Sequence, residues 1–177
     1  CSNVKTHSPI DLTNATTEEL ADITFDYKAS KLNVVNNGHT VQVNYDNGSS
    51  ISVNGSQYNL LQFHFHTPSE HTVNGKFYGN EMHIVHKNDK GELAVVGVLI
   101  EKGEENAAYK AIWSNLPKKA DEKKSVAVDI NAADLLPKEK EYFTYMGSLT
   151  TPPCSENVRW IVLQSPIQMS EGQIAEI

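Results

Sequence analysis

The chain has 177 residues, of which 39% are hydrophobic and 21% charged, with a formal net charge of −7. This length fits a single domain with its own core. The negative charge argues against nucleic acid or an anionic membrane as the main partner, because both attract basic surfaces. No apolar run is long enough to span a bilayer.

Short strands separated by turns dominate the first half of the chain. Alternating apolar residues predict strands over Val41–Tyr45 and Ser50–Val53. Asp46-Asn47-Gly48 and Asn54-Gly55 carry the residues of tight turns, so we expect hairpins on either side of the second strand.

The pattern of short strands separated by turns continues in the later part of the chain. Turns are predicted at Val73–Gly75 and at Asn88–Gly91, and the second of these leads into an apolar run over Leu93–Ile100 that suits a buried strand. Trp160–Leu163 predicts another strand.

Helical patterns are sparse. Glu105–Leu116 has apolar residues at helical spacing, and Ser170–Gln173 has the form of a capping box that opens a helix. We therefore predict one domain over residues 1–177, of mixed α+β class but predominantly β, with a large, mainly antiparallel central sheet and a few short helices.

Gln62–His66 is the most informative stretch. A strand has a side-chain period of two, so Gln62, His64 and His66 share one face while Phe63 and Phe65 occupy the other. Two imidazoles at this spacing on one face can bind a single metal ion.

A third candidate ligand, His83, lies in another short apolar segment that reads as a neighbouring strand. Three neutral histidines with a fourth position left to water form the ligand set of a catalytic zinc site. The alternatives are core histidines or a structural metal site, but the His-x-His pattern in a β-rich context favours metal binding.

The chain has two cysteines, Cys1 and Cys154. They are either two buried thiols or a disulfide, and a disulfide would imply an exported protein. The Pro-Pro-Cys-Ser-Glu setting of Cys154 is typical of a loop and favours the disulfide.

Several motifs together resemble the α-class carbonic anhydrases in their bacterial form. They are Gln62–His71 (QFHFHTPSEH), Glu81–His86 (EMHIVH), Gly147–Cys154 (GSLTTPPC), Asn36–Thr40 (NNGHT), Ser8–Asp11 (SPID) and Arg159–Leu163 (RWIVL). The resemblance runs in order along nearly the whole chain. It implies a twisted antiparallel sheet with a conical cleft, and the reversible hydration of carbon dioxide to bicarbonate and a proton.

The resemblance also implies roles for individual residues. His64, His66 and His83 match three zinc ligands, so that a zinc-bound hydroxide attacks carbon dioxide. Thr150 matches the residue that orients this hydroxide while donating to Glu70.

Further positions match supporting roles in the family. Gln62 and Glu81 resemble residues that hold the ligand imidazoles, and His39 resembles the histidine that shuttles the proton to solvent. An apolar wall for carbon dioxide is implied at Val85, Val95, Leu149, Thr151, Val158 and Trp160. We assign the remaining histidines, His7, His71 and His86, to structure.

The resemblance carries wider expectations. Sulfonamides and anions should inhibit, and a homodimer is among the assemblies that the family suggests. Cys1 and Cys154 should be joined in a periplasmic or secreted protein whose signal peptide has been removed. Relative to the family pattern, residues 1–177 lack an N-terminal aromatic segment and a C-terminal strand region, which we expect to weaken zinc binding or turnover.

Two alternatives stand beside this interpretation. His64-x-His66-x₃-Glu70 also resembles the first metal motif of the cupins, in which the glutamate is a ligand for iron or manganese. The other is a non-catalytic or weakly active binding domain on the carbonic anhydrase fold, although such domains typically lose a ligand histidine.

Overall fold

A computed structural model describes residues 8–10, 12, 23–38, 40–53, 55–150 and 155–175. Within this part of the chain the strands are β1 (Thr24–Asp26), β2 (Ala29–Asn36), β3 (Val41–Asn44), β4 (Ser50–Val53), β5 (Ser56–His66), β6 (Thr72–Val73), β7 (Lys76–Phe77), β8 (Asn80–Lys87), β9 (Leu93–Lys102), β10 (Lys123–Asn131), β11 (Tyr142–Ser148) and β12 (Glu156–Met169).

Most of these strands form one large sheet, as predicted. Its main path runs β10-β2-β3-β5-β8-β9-β12-β11, and β4 and β1 extend from β5 beside it. The pairings are antiparallel except for β9 with β12, which run parallel. The short hairpin β6-β7 stands apart. A mainly antiparallel sheet with few helices is therefore confirmed.

The central strands bury both of their faces. Phe63, Met82 and Ile84 belong to the main core on one face. Val85 and Trp160 belong to a smaller apolar cluster on the other face. Strands covered on both sides read as continuous apolar runs, which is why β9 was recognisable in the sequence.

The predicted hairpin between β3 and β4 is wrong. β3 pairs with β2 and with β5, whereas β4 pairs with β1 and with the beginning of β5. The Tyr45 amide donates to the Leu61 carbonyl (3.0 Å) and the Leu60 amide to the Ser49 carbonyl (2.9 Å), so the connection follows β5 instead of folding back. β5, with its 11 residues, is long enough to pair with both strands. The predicted hairpin from β4 to β5 is present.

The helix predicted over Glu105–Leu116 is shorter in the structure. It consists of a 3₁₀ turn over Ala107–Tyr109 followed by α1, Lys110–Trp113. The Asn106 side chain accepts from the Ala108 amide (3.2 Å) and so begins the turn later than the apolar pattern suggested. A second 3₁₀ turn covers Ala132–Leu135.

The capping box at Ser170 is confirmed. Ser170 Oγ accepts from the Gln173 amide and Gln173 Oε1 accepts from the Ser170 amide, each at 3.1 Å, at the start of α2, Glu171–Ala175. Trp113 Nε1 donates to the Gln173 carbonyl (2.7 Å), which ties α1 to α2. None of the helices in the described residues is long and apolar enough to cross a membrane.

Candidate metal centre and active site

The pairing of β5 with β8 brings the three candidate ligands together. His64 lies directly opposite His83, and His66 lies opposite Glu81. The ring centroids of His64 and His66 are 5.0 Å apart, those of His64 and His83 5.5 Å, and those of His66 and His83 4.5 Å. One nitrogen of each ring lies within 4.8 Å of the others. Residues far apart in sequence thus form one compact cluster on the sheet.

In His64 and His83, hydrogen bonds determine which ring nitrogen keeps a lone pair for a metal ion. His64 Nδ1 lies 2.8 Å from Gln62 Oε1, and His83 Nε2 lies 2.5 Å from Glu81 Oε2. Because an amide or carboxylate oxygen can only accept, each of these nitrogens carries the hydrogen. The lone pair is therefore left on Nε2 of His64 and on Nδ1 of His83.

The third ring presents a buried nitrogen without a hydrogen bond. His66 Nε2 is shielded from solvent and has no hydrogen-bond partner among the described residues, although Glu70 Oε1 lies 3.2 Å away. A buried lone pair without a donor fits a metal ion as its partner. Together with Nε2 of His64 and Nδ1 of His83, this nitrogen matches the preference of zinc for nitrogen ligands.

Burial keeps two of the candidate ligand rings, those of His64 and His66, neutral. It lowers the pKa of His64 to about 2, with the neighbouring His83 and His66 acting in the same direction. Burial and His83 likewise lower the pKa of His66 to about 3. Both lone pairs are therefore available at neutral pH, which a metal ligand requires.

Glu81 connects more of the site than its sequence position suggested. Its Oε2 faces the rings of both His71 (2.8 Å) and His83 (2.5 Å), while Oε1 accepts from the amides of Glu70 (3.1 Å) and His71 (2.8 Å). Burial alone would raise the pKa of Glu81. The electrostatic effect of the nearby His83 and the hydrogen bonds with both histidines outweigh burial and lower the pKa of Glu81, so the carboxyl stays ionised.

Glu70 and Thr150 meet beside the histidines. Burial raises the pKa of Glu70, and the nearby His83 and a hydrogen bond with Thr150 offset part of that rise. Glu70 Oε1 lies 3.7 Å from His83 Nδ1, the nitrogen left for a ligand. The structure thus brings the predicted carboxylate and hydroxyl pair to the metal cluster.

The predicted apolar wall lies on the same face. Its described members pack in one cluster, namely Val85, Val95, Val158 and Trp160 with Leu149 against them. The Trp160 ring packs edge-on against His83, with ring centroids 4.8 Å apart. His39, Thr151, Cys1 and Cys154 lie outside the described residues.

Sequence reasoning missed three polar residues behind the cluster. His71 was assigned to structure, and neither Tyr145 nor Ser8 was given a role. His71 Nε2 lies 2.6 Å from Tyr145 Oη, which donates to Ser8 Oγ at 2.8 Å. No spacing rule joins these positions, because strand periodicity speaks only of residues close in sequence.

Comparison with known proteins decides the family. The sequence model of the eukaryotic-type carbonic anhydrases matches residues 1–177. A carbonic anhydrase of Klebsiella pneumoniae is 40% identical over 178 residues, covering 99% of this chain and 72% of that protein. The chain belongs to the α-carbonic anhydrase family.

Solved structures of α-carbonic anhydrases have the same fold. A hyperthermostable carbonic anhydrase from an active hydrothermal vent chimney superposes with a TM-score of 0.94 at 48% identity, covering 97% of this chain and 77% of that one. The α-carbonic anhydrase of Thermovibrio ammonificans, solved with the inhibitor sulfanilamide, gives 0.95 at 42% identity with the same two coverages. The protein is therefore a carbonate dehydratase, and the cupin alternative is wrong.

Proposed function

We propose that His64, His66 and His83 hold a zinc ion with which the enzyme hydrates carbon dioxide to bicarbonate and a proton. The observation that supports this most is the set of three imidazole rings, each with one nitrogen within 4.8 Å of the others. All three positions carry histidine, which argues against a non-catalytic domain.

Zinc bound there would lower the pKa of a coordinated water to about 7, far below that of bulk water, which makes hydroxide available near neutral pH. The protein's part is to supply neutral ligands in a fixed orientation. Gln62 and Glu81 do this for His64 and His83 by holding the hydrogen of each ring on one nitrogen, which leaves the lone pair of the other nitrogen for a metal ion.

Thr150 and Glu70 are proposed to orient the attacking oxygen. The Glu70 carboxylate accepts the Thr150 hydroxyl hydrogen, and this hydrogen bond acts to lower the pKa of Glu70 against the effect of burial. Thr150 Oγ1 is then left with lone pairs only and must accept a hydrogen from the attacking oxygen. This directs the oxygen's lone pair toward the substrate and disfavours ligands that have no hydrogen to donate.

Carbon dioxide is apolar, so its binding needs a hydrophobic surface beside the reacting oxygen. We propose that the cluster of Val85, Val95, Leu149, Val158 and Trp160 provides that surface. Thr151 is proposed to line the same space.

His39 is proposed to carry the proton to solvent, because an unperturbed imidazole titrates near neutral pH. The residues around it support this. The Thr40 hydroxyl donates to the Phe65 carbonyl at 2.5 Å, between the two histidines of β5, and Asn37 Oδ1 accepts from the Thr40 amide at 2.9 Å. The turn that contains His39 is thereby attached to the strand that contains His64 and His66.

Sulfonamides and small anions are proposed as inhibitors. A deprotonated sulfonamide nitrogen is a ligand for zinc, and its remaining hydrogen suits the lone pairs of the Thr150 hydroxyl. The relative from Thermovibrio ammonificans was solved with sulfanilamide, which supports the proposal.

A disulfide between Cys1 and Cys154 and an exported location, periplasmic or secreted, remain proposals. Removal of such a disulfide typically costs about 2–5 kcal/mol of folding free energy. Titration of thiols in the unfolded, non-reduced protein should find none, and two free thiols would overturn both proposals.

The zinc proposal is tested by metal analysis together with a carbon dioxide hydration assay before and after chelation. The zinc-loaded protein should hold one zinc per chain and lose activity on chelation, and added zinc should restore it. His66→Ala should lose most of its zinc. Unchanged zinc content in that variant would overturn the ligand assignment.

The roles of His39 and Thr150 can be separated by buffer. His39→Ala should slow turnover through proton export, so small imidazole buffers should restore part of the rate. Thr150→Ala should slow the chemical step, and buffer should not restore it. Full rescue of Thr150→Ala, or no response of His39→Ala, would contradict these assignments.

A further inference from the structure

A buried chain of polar groups begins at Glu81, behind the candidate ligand His83. Glu81 Oε2 lies 2.8 Å from His71 Nδ1, and His71 Nε2 lies 2.6 Å from Tyr145 Oη. Glu81 and His71 are both fully buried. Since water does not reach these side chains, their orientation depends on one another.

The chain of contacts continues to the segment that contains Thr150. Tyr145 Oη donates to Ser8 Oγ (2.8 Å), and Ser8 Oγ accepts from the Ser148 amide (3.2 Å). The Ser8 amide in turn donates to Ser148 Oγ (3.0 Å), which donates to the Leu149 carbonyl (3.0 Å). Leu149 directly precedes Thr150.

The residues along this chain of contacts are closely packed around Gly147. Gly147 lies where β11 has a register irregularity against β12, and a Cβ atom there would overlap Ser8 Oγ and lie 2.7 Å from Tyr145 Cε2 and 3.2 Å from Trp160 Cδ1. Glycine is therefore required for the close approach of Ser8 and Tyr145. Trp160 Nε1 also donates to the Ser148 carbonyl (2.9 Å), which holds the same segment from the other side.

We infer that Tyr145 and Ser8 are positioning residues. They fix the position of the Thr150 segment relative to His83 and the metal site. One end of the network orients Glu81 against His83, and the other end fixes the backbone just before Thr150. The inference rests on the proposed roles of His83 and Thr150. It explains why two hydroxyl groups far apart in sequence meet behind the site.

Tyr145→Phe removes one hydroxyl and keeps the ring, so it tests the centre of the network. Partners that lie outside the ligands typically change metal affinity by about 10–100-fold. Because Tyr145 acts through His71 and Glu81, we expect the low end, about tenfold faster loss of zinc to a chelator. The visible spectrum of the cobalt-substituted variant should shift, and kcat/KM should fall in a way that added buffer does not restore.

Tyr109→Phe is the matched control. Tyr109 is fully buried and its hydroxyl donates to the Leu135 carbonyl (2.8 Å), away from the metal cluster. This variant loses a buried hydrogen bond of the same kind, so its stability should fall comparably. Its rate of zinc loss and its cobalt spectrum should stay as in the parent protein.

Ser8→Ala provides a second probe if Tyr145→Phe folds poorly. It should also lower kcat/KM and speed zinc loss, by less than Tyr145→Phe, and the two changes should be non-additive because they interrupt one network. If both variants keep the zinc loss rate and spectrum of Tyr109→Phe, the inference is wrong. That result would leave the ligand assignment intact, because the ligands are tested separately by the zinc content of His66→Ala.

Discussion

The two faces of β8 each carry a buried histidine, and the two rings differ in whether a nitrogen lone pair remains for a metal ion. On the face toward the site, His83 uses Nε2 to contact Glu81 and keeps Nδ1 near Glu70, 3.7 Å from its Oε1. On the core face, His86 has both nitrogens engaged: Nε2 lies 2.7 Å from the Tyr27 hydroxyl and Nδ1 lies 3.1 Å from the Ala94 carbonyl.

This difference separates a candidate ligand from a structural histidine. The Tyr27 ring also stacks on His86, with centroids 5.8 Å apart, so the ring is held on its edges and on one face. A histidine whose two nitrogens are both satisfied within the protein has no lone pair left for a metal ion. Burial alone does not make the distinction, because His83 and His86 are equally buried.

The largest expected effect comes from removing each ring in turn. His83→Ala should reduce zinc affinity by more than the roughly 10–100-fold typical of residues that only orient a ligand, because a ligand itself is lost. His86→Phe should bind zinc with the parent stoichiometry, although loss of its partners should lower stability. Zinc content by metal analysis of the folded proteins measures both. If His86→Phe lost its zinc while His83→Ala kept it, His86 and not His83 would be the ligand.

The next test compares the residues that orient the ligands. Glu81 is fully buried, and Glu81→Ala would leave two ring hydrogens and two amides without an acceptor. Removal of one partner from a buried ionic cluster costs about 3–5 kcal/mol. Gln62 is half-buried, so water can replace it, and Gln62→Ala should cost less than about 1 kcal/mol while still lowering zinc affinity.

Urea denaturation of the metal-free proteins measures the stability change, and competition with a chelator measures the zinc affinity. The expected result is a large loss of stability for Glu81→Ala and a loss confined to zinc affinity for Gln62→Ala. Equal stability losses would show that burial does not determine how much Glu81 and Gln62 each contribute to stability.

The two faces of β8 were predictable because strand periodicity is local. His83 and His86 are three residues apart, so the sequence placed them on opposite faces, and His64 and His66 on one face. The sequence predicted that the segment containing His83 forms a strand beside the one containing His64. It did not predict the register of the pairing between β5 and β8. Glu70 and Thr150 came from family resemblance, since a carboxylate in a turn has no distinctive local pattern.

Non-local contacts explain what the sequence did not predict. The turn at Asp46–Gly48 suggested a hairpin, but pairing of β3 and β4 with the long β5 prevailed over this local preference. Tyr145 and Ser8 are separated by 137 positions, and their contact follows from the sheet as a whole. Such contacts depend on tertiary packing, which periodicity does not encode.

The core-face histidine also makes stability depend on pH. Burial lowers the pKa of His86 to about 4, although hydrogen bonds to the Ala94 and Ile84 backbone oppose the shift. In the unfolded chain the pKa is about 6.5. Between these values the unfolded chain binds a proton that the folded chain does not, so stability falls as pH drops from about 7 to about 4, by on the order of 3 kcal/mol from this group.

The measurement is the difference in unfolding free energy between the parent protein and His86→Phe as pH falls. Other titrating groups are common to both proteins, so the difference isolates His86. It should shrink steadily from pH 7 to pH 4. A constant difference would show that His86 is already charged, or is exposed, in the folded protein.

The smallest expected effect concerns Asn80, which begins β8 on the same core face as His86. Asn80 is fully buried, yet neither its Nδ2 nor its Oδ1 has a hydrogen-bond partner among the residues that the structure describes. His86 shows how a polar ring is accommodated on this face, and Asn80 lacks that accommodation. A buried polar group left unsatisfied costs about 1–3 kcal/mol.

Replacement of this amide by a side chain that needs no partner should therefore stabilise the fold. Asn80→Val, whose branched side chain suits a strand, should raise the unfolding free energy by about 1 kcal/mol. Asn80→Asp should lower it, because a buried carboxylate without a partner is more costly than an amide. Urea denaturation with an unchanged m-value would measure both. A Val variant less stable than the parent would mean that an ordered water satisfies Asn80, and that both polar groups of the core face of β8 are accommodated after all.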